Sequence, residues 1–472
     1  MEHAQESARP RVILLCSPSF GHLIPFVELA RRLVADHGLA ATVLFAGAMP
    51  TPSEEYLEAA AAVPDGVDLV ALPADALLPS ASVRDRISHA VASGVPRVVQ
   101  LARSLAAAAL VIDAGFVAAR GALAAELPGV PVYVFFTSPW TVLSLLLHLP
   151  ELDATITGEY RDMTDPIRLP GCVPIVAADL QTPLLADRSS VVYTRYLAGL
   201  KEYRKVDGFI VNTLPELEPA VVDGIPAGLR VPVHAVGPLI WTRSAAADDQ
   251  QGRHKCLRWL DRQPHGSVVY VSFGSGGTLT WQQTAELALG LEMSQHPFIW
   301  VVRRPDENPL GCGAFLGTQR GVDEALDFFP EGFIERTRGI GLVVPSWAPQ
   351  TAILSHPSIG CFVTHCGWNS ILEAILNGVP LVAWPLYAEQ RINAAMLEGQ
   401  LGVATRVRLS DGGLVCKEEV ARAIECAMEN GDGETLRNKI HNLKDKVLHA
   451  LNSKGSSAHA LAQFSNLGKP SN

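Results

Sequence analysis

Charge is scarce in this chain of 472 residues: Asp, Glu, Lys and Arg together make up 18%, against roughly a quarter in an average soluble protein. Hydrophobic residues reach 48% and the mean hydropathy is +0.19, so disorder is excluded for most of the chain and large, well-filled cores are expected. Positive charge is the scarcer sign. Lys plus Arg is 38 against 48 for Asp plus Glu, a net −10, and no basic patch marks a nucleic-acid partner. The eight cysteines form no CxxC and no dense framework, which predicts reduced, mostly buried thiols and a cytoplasmic protein. Cys361 and Cys366 read as core residues along one strand rather than ligands. A signal peptide is not expected, because Met1 to Pro10 is polar and the apolar run after it ends at Cys16. The one long uncharged stretch, Val130 to Leu149, is interrupted by Pro131, Thr137, Ser138, Pro139 and Thr141. A buried strand, a polar turn and a buried helix account for it better than a membrane span.

Other absences narrow the chemistry. Ser17 to His22 follows the first apolar strand without GxGxxG, and GxxxxGK[ST] occurs nowhere, which argues against hydride transfer and ATP-dependent chemistry. There is no Asp-x-Asp and no close His/Cys/Asp cluster with metal-ligand spacing, so no metal and no other cofactor is expected. Charge on a leaving group would have to be met by protein dipoles.

What is present is a repeated alternation. Buried strands are predicted at Val12–Cys16, Ala41–Phe45, Val67–Leu72, Ala109–Asp113, Val132–Phe136 and Gly208–Asn212, with helices such as Leu23–Val34 between them. The composition turns polar around Val236 to Arg253, and the alternation restarts at Val268–Phe273, Phe298–Val302, Gly341–Val344, Cys361–Thr364, Pro380–Trp384 and, more weakly, Val403–Val407. Pro305 to Glu324 reads as a loop. The pattern implies an α/β chain of two Rossmann-like domains, each a doubly wound parallel sheet, facing a central cleft. The divisions are 1–240, a linker over 241–254, a second domain over 255–455, and a C-terminal helix and tail over 456–472 able to pack back on the first domain.

The densest constellation is Cys361-Phe-Val-Thr-His-Cys-Gly-Trp-Asn-Ser370. A strand ending at His365, a turn through Gly367 and a helix beginning near Asn369 or Ser370 would offer free backbone N–H groups and the positive end of a helix dipole to an anion. Glu373, one turn in, is placed for ribose hydroxyls, and Trp347 offers a flat face for a base. By itself the cluster also reads as an ordinary Asn or Ser N-cap. The spacing around it decides otherwise. Trp347 to Gln390 reads WAPQTAILSHPSIGCFVTHCGWNSILEAILNGVPLVAWPLYAEQ, which resembles the signature box of the plant secondary-product UDP-dependent glycosyltransferases. GHLIPFVELARRLV, LPGCVP, FIVNTLPELEP and VYVSFGSGGTL are similar to the hydroquinone glucosyltransferase (arbutin synthase-like) branch of that family.

The resemblance implies a GT-B fold and an inverting transfer from UDP-glucose to the hydroxyl of a small aromatic acceptor, in a monomer serving specialised metabolism or detoxification. It also implies roles. Trp347 would stack on uracil, with Ala348 and Gln350 near the base and ribose and Glu373 on the ribose hydroxyls. Ser275, His365, Asn369 and Ser370 would bind the diphosphate. Trp368, Glu389 and Gln390 would read the sugar, and Trp368 with Gln390 favours glucose. Such a transfer needs a base for the acceptor proton, and a histidine is best matched to that task. His22, in the turn after the first strand, and Asp113, at the end of Ala109–Asp113, match the family's dyad. Gly21, Phe20, Thr137, Ser138, Thr278 and Tyr387 are candidates on the sugar or acceptor side, and Phe20 could narrow the acceptor pocket beside the base. Carbon or nitrogen attack, or a different UDP-sugar, is the alternative that the sequence leaves open. Acceptor-lining segments, roughly Pro79–Ile87 and Leu143–Leu200, carry no readable code.

Overall fold

The computed structural model describes residues 9–17, 20–46, 63, 66–72, 83–219, 224–226, 228–229, 231–240, 255–307, 327–345, 347–429 and 431–466. The expected linker over 241–254 lies outside them, as do Ser19, the Phe20 side chain, the side chains over 79–87 and most of the loop over 305–324.

The chain divides into two compact units. One holds Met1–Thr157, Arg188–Leu239 and Ala450–Asn472, the other Gly158–Asp187 and Ile240–His449. The sheet of the first unit contains β1 (Arg11–Cys16), β2 (Ala40–Ala46), β3 (Val67–Leu72), β4 (Ala107–Asp113), β5 (Val132–Phe136), β6 (Gly208–Val211) and β7 (Val233–Ala235), in the order β3-β2-β1-β4-β5-β6-β7. Every pairing is parallel. Parallel strands covered on both faces read as unbroken apolar runs, and Val12-Ile-Leu-Leu-Cys16 is buried throughout. The helix Phe20–His37 lays Leu23, Phe26, Val27, Ala30, Leu33 and Val34 into this core at helical spacing. It begins three residues before the expected Leu23, which moves His22 from a turn onto a first helical turn.

The second unit repeats the plan with β8 (Val268–Ser272), β9 (Phe298–Val302), β10 (Gly341–Pro345), β11 (Ile359–Thr364), β12 (Leu381–Ala383) and β13 (Ala404–Arg406), ordered β10-β9-β8-β11-β12-β13. In both sheets the chain steps outward over three strands and then restarts on the other side of the first. The order therefore reverses between β1 and β4, and between β8 and β11. Ligands of doubly wound sheets bind at the carboxyl ends of strands flanking such a reversal.

Gly158–Asp187 falls in the first domain by chain order, yet its contacts group it with the second unit. The buried carboxylate of Asp179 takes two hydrogen bonds from Arg406 at 2.6 and 3.2 Å, and Arg391 donates to the Ala178 carbonyl. The helix Ser456–Ser465 lies on the first unit. Ser457 donates to the Val236 carbonyl, Ser456 to Glu216, and the fully buried Phe464 meets Tyr133 edge-on at 5.2 Å. Truncating Phe464 to Ala should cost about 3–5 kcal/mol and lower the melting transition of the first unit. An unchanged thermal unfolding profile would show that the helix contributes little to stability.

Candidate active site

In the first unit the reversal brings two neighbouring strands to one spot. Asp113 closes β4 with its carboxylate fully buried. Its Oδ2 lies 2.7 Å from Nδ1 of His22 and accepts from the Ser17 N–H at 3.2 Å, while Oδ1 accepts from the Gly115 N–H at 3.2 Å. Burial pushes this carboxyl up, but the His22 ring and the two backbone donors outweigh it and hold it below the usual carboxylate range. With Nδ1–H given to Asp113, the lone pair of the imidazole resides on Nε2, the tautomer a general base requires. Thr137 joins the cluster, its Oγ1 3.3 Å from Nδ1. Ser138 and Gly21 are its chain neighbours, on the turn after β5 and the first turn of the helix.

The helix that follows Thr137 and Ser138 is held at its start by a residue that the sequence reading missed. The helix Trp140–Thr155 has no cap from its own N-cap residue, Pro139. Glu218, buried, accepts from the N–H groups of Trp140 and Thr141 at 2.8 Å and from the hydroxyls of Thr141 and Thr213 at 2.8 and 2.6 Å. A carboxylate at a helix N-terminus meets both unsatisfied N–H groups and the dipole. The signal in the sequence was an acid among Thr213, Leu214 and Leu217.

In the second unit the turn after β11 carries His365. Its ring is gripped by two glycines: a Cβ on Gly274 would fall 2.5 Å from the ring, and one on Gly367 2.4 Å from Nε2. Burial, with the charge of Arg303, pushes His365 down to about 4, and its Nδ1 is buried without a partner. The imidazole is neutral at physiological pH. Cys366 then turns with φ 63°, its carbonyl held by Asn393 Nδ2 at 2.9 Å. It therefore lies past the end of β11 rather than along it. Cys361 and Cys366 are both buried, and burial pushes both thiols up to about 12. The next helix starts at Trp368, ahead of the expected Asn369 or Ser370, because Gly367 already completes the turn. Gly367 is its N-cap and makes no side-chain cap bond.

Gln350, Ser370 and Glu373 meet. Gln350 Nε2 donates to Ser370 Oγ at 2.9 Å and to Glu373 Oε2 at 2.7 Å. Burial drives Glu373 up to about 7, against the pull of that amide. Trp347 is 44% exposed and Ala348 is buried beside it. Trp368 is buried, and Asn369 is partly so. Gln390 opens the helix Gln390–Ala395, and its Oε1 accepts from the N–H groups of Leu386 and Tyr387 at 2.9 and 3.0 Å. The buried Gln390 side chain also hydrogen-bonds the Tyr387 side chain, against which burial pushes Tyr387 up to about 12. Ser275 is exposed on the loop after β8, where its carbonyl accepts from Arg303, and Thr278 is buried with Oγ1 unpartnered. Among the described residues no group of three or more His, Cys, Asp or Glu is arranged to hold a metal ion, and no helix is long and apolar enough to cross a membrane.

Residues 245–435 match the family described as UDP-glucoronosyl and UDP-glucosyl transferase. The hydroquinone glucosyltransferase of Rauvolfia serpentina is 42% identical over 475 residues, 98% of each chain. The chain belongs to the plant family 1 UDP-glycosyltransferases. It is an enzyme of the glycosyltransferase class, with the α/β GT-B fold. UDP-glycosyltransferase 72B1 of Arabidopsis thaliana is 42% identical over 97% of this chain and 96% of its own. Among solved structures, Phytolacca americana UGT2, complexed with UDP-2-fluoro-glucose and pterostilbene, superposes with a TM-score of 0.84 at 38% identity, covering 98% of this chain and 99% of the other.

The elevated Glu373 generates a linkage with a definite sign. Its carboxyl binds a proton more tightly folded than unfolded, so its contribution to stability is full below about pH 4.5 and is lost as pH rises through about 7. Replacing it by Gln removes that loss. The stability of Glu373→Gln relative to wild type should rise by about 2 kcal/mol between pH 5 and pH 8, read from urea unfolding at each pH. A difference that does not change with pH would mean that Glu373 is not the titrating group.

Proposed function

We propose that this enzyme transfers glucose from UDP-glucose to the hydroxyl of a small phenolic acceptor with inversion, giving a β-O-glucoside, with His22 as general base and Asp113 as its orienting partner. The observation that carries the reading is the 2.7 Å pairing of His22 Nδ1 with a fully buried, ionised Asp113. As Nε2 takes the phenolic proton, the oxygen attacks C1 of the glucose and the bond from C1 to the UDP oxygen breaks. The imidazolium that forms is stabilised by the carboxylate, which stays ionised, as in other base–orienter pairs.

The donor assignment rests on the second unit. A carboxyl near its titration point, a neutral buried imidazole and the N-terminus of the helix that begins at Trp368 supply acceptors for ribose hydroxyls and donors for a diphosphate. Gln390, its oxygen tied to the backbone N–H groups of Leu386 and Tyr387, is the residue assigned to the sugar hydroxyls. The Rauvolfia relative's name supports a hydroquinone-like phenol as acceptor and glucose as the sugar, and the Phytolacca complex pairs a fluorinated UDP-glucose with a stilbene phenol. On this reading protein groups meet the leaving-group charge, the reaction needs no metal, and the enzyme acts as a cytoplasmic monomer.

The test incubates wild type and His22→Ala with UDP-glucose and a panel of phenols, anilines and flavonoids, with and without EDTA. Acid-labile glucosides should form at a rate indifferent to EDTA and fall about 10²- to 10⁴-fold in the mutant. Acid-stable conjugates would move the reading to carbon attack, and an unaffected mutant would remove His22 from the mechanism.

A further inference from the structure

The proposed donor site of the second unit is polar but short of positive charge. His365 is neutral, Glu373 is an acid, and the helix start at Trp368 offers only a partial charge. A diphosphate is multiply charged, and more negative charge gathers on its bridging oxygen as the bond to the sugar breaks. Stabilising charge where it develops is the strongest contribution that a preorganised site makes.

Arg303 is placed to supply it. It is the first residue after β9, and β9 pairs with β8, so it stands at the carboxyl end of the sheet beside the loop that follows β8. Its guanidinium donates to the Ser275 carbonyl of that loop. Gly274, Gly277, Thr278 and Arg303 line one cavity, into whose buried wall Thr278 brings a hydroxyl oxygen without a partner. Gly274 in the same wall is the residue that abuts the His365 ring. The charge of Arg303 is felt at both His365 and Tyr387. Its neighbour Arg304 is engaged elsewhere, over the Trp281 ring at 5.3 Å and 3.8 Å from Asp327.

We propose that Arg303 is the cation of the donor site, pairing with the diphosphate of the nucleotide sugar and balancing the charge that grows on the departing nucleotide. The inference rests on the donor reading given above and adds to it the group that makes the site electrostatically competent. Arginine suits the task because its planar fork can hold the Ser275 carbonyl with one nitrogen and phosphate oxygens with others.

The test separates a charge role from a loop-holding role. Binding of UDP, UMP and uridine to wild type, Arg303→Gln, Arg303→Lys and Arg304→Gln is measured by calorimetry at low and high salt. Arg303→Gln should weaken UDP about 10- to 100-fold, leave uridine within about twofold, and flatten the salt dependence of UDP binding. Arg303→Lys should recover part of the loss, and Arg304→Gln should bind as wild type does. In Arg303→Gln the His365 ring, followed by NMR, should titrate at higher pH. Equal losses for UDP and uridine would assign Arg303 to loop structure and overturn the proposal, as would UDP binding at wild-type strength. Wild type that binds neither ligand would remove the donor reading itself, an outcome distinct from either.

Discussion

The carboxylate of Asp113 is the constraint on which the first unit's site depends. A charge removed from water survives only where donors surround it, and here they come from three directions: the exit of β1 at Ser17, the turn after β4 at Gly115, and the first helical turn at His22. Meeting this single demand fixes the course of the chain on leaving two adjacent strands. The imidazole is thereby held in one tautomer by the chain's own groups. Glu218 does a similar service one strand further along, where it anchors the helix behind Thr137 and Ser138. Two buried acids thus hold the carboxyl edge of the sheet in shape.

The second unit has the same topology and the opposite electrostatic solution. Its reversal point lies between β8 and β11, and there the chain uses glycine rather than charge. Gly274 takes φ 72°, and it and Gly367 leave room for the His365 ring where any side chain would collide. The result is an imidazole with an unsatisfied buried nitrogen and a glutamate carboxyl lifted toward neutrality. Local rules broken in this way are characteristic of functional positions. The free protein bears the cost in stability, and a ligand able to meet these groups relieves it.

Much of this organisation was legible in the sequence, and for an identifiable reason. Parallel strands buried on both faces announce themselves as β-branched runs, so twelve of the thirteen strands among the described residues are expected close to their observed bounds. β7 is not, because three residues between Pro232 and Gly237-Pro238 carry too little pattern to separate from a loop. The helix that bears His22 was expected to start late, since Phe20 to His22 lies ahead of its apolar repeat. The attachment of Gly158–Asp187 to the second unit hangs on Asp179 and Arg406, an ion pair formed across more than two hundred residues. No local signal encodes it. Motif residues such as Gln350 and Glu373 could be named, whereas their hydrogen bond and the protonation it tunes exist only in three dimensions.

Asp113 and Glu373 are both buried acids, yet the fold shifts their carboxyl groups in opposite directions. Asp113 is held ionised by partners that the chain itself supplies. Glu373 has one amide donor of its own, Gln350, and burial prevails over it. Ribose hydroxyls donated to Glu373 would act on it as the Ser17 and Gly115 N–H groups act on Asp113, drawing the carboxyl back toward its ionised form. The first acid therefore receives its donors from the fold alone, and the second is left with one. Under the proposed function that division would suit a transferase: the partner of the base would be preorganised before the acceptor arrives, while the acid proposed to recognise the donor would keep its strongest interactions in reserve for binding.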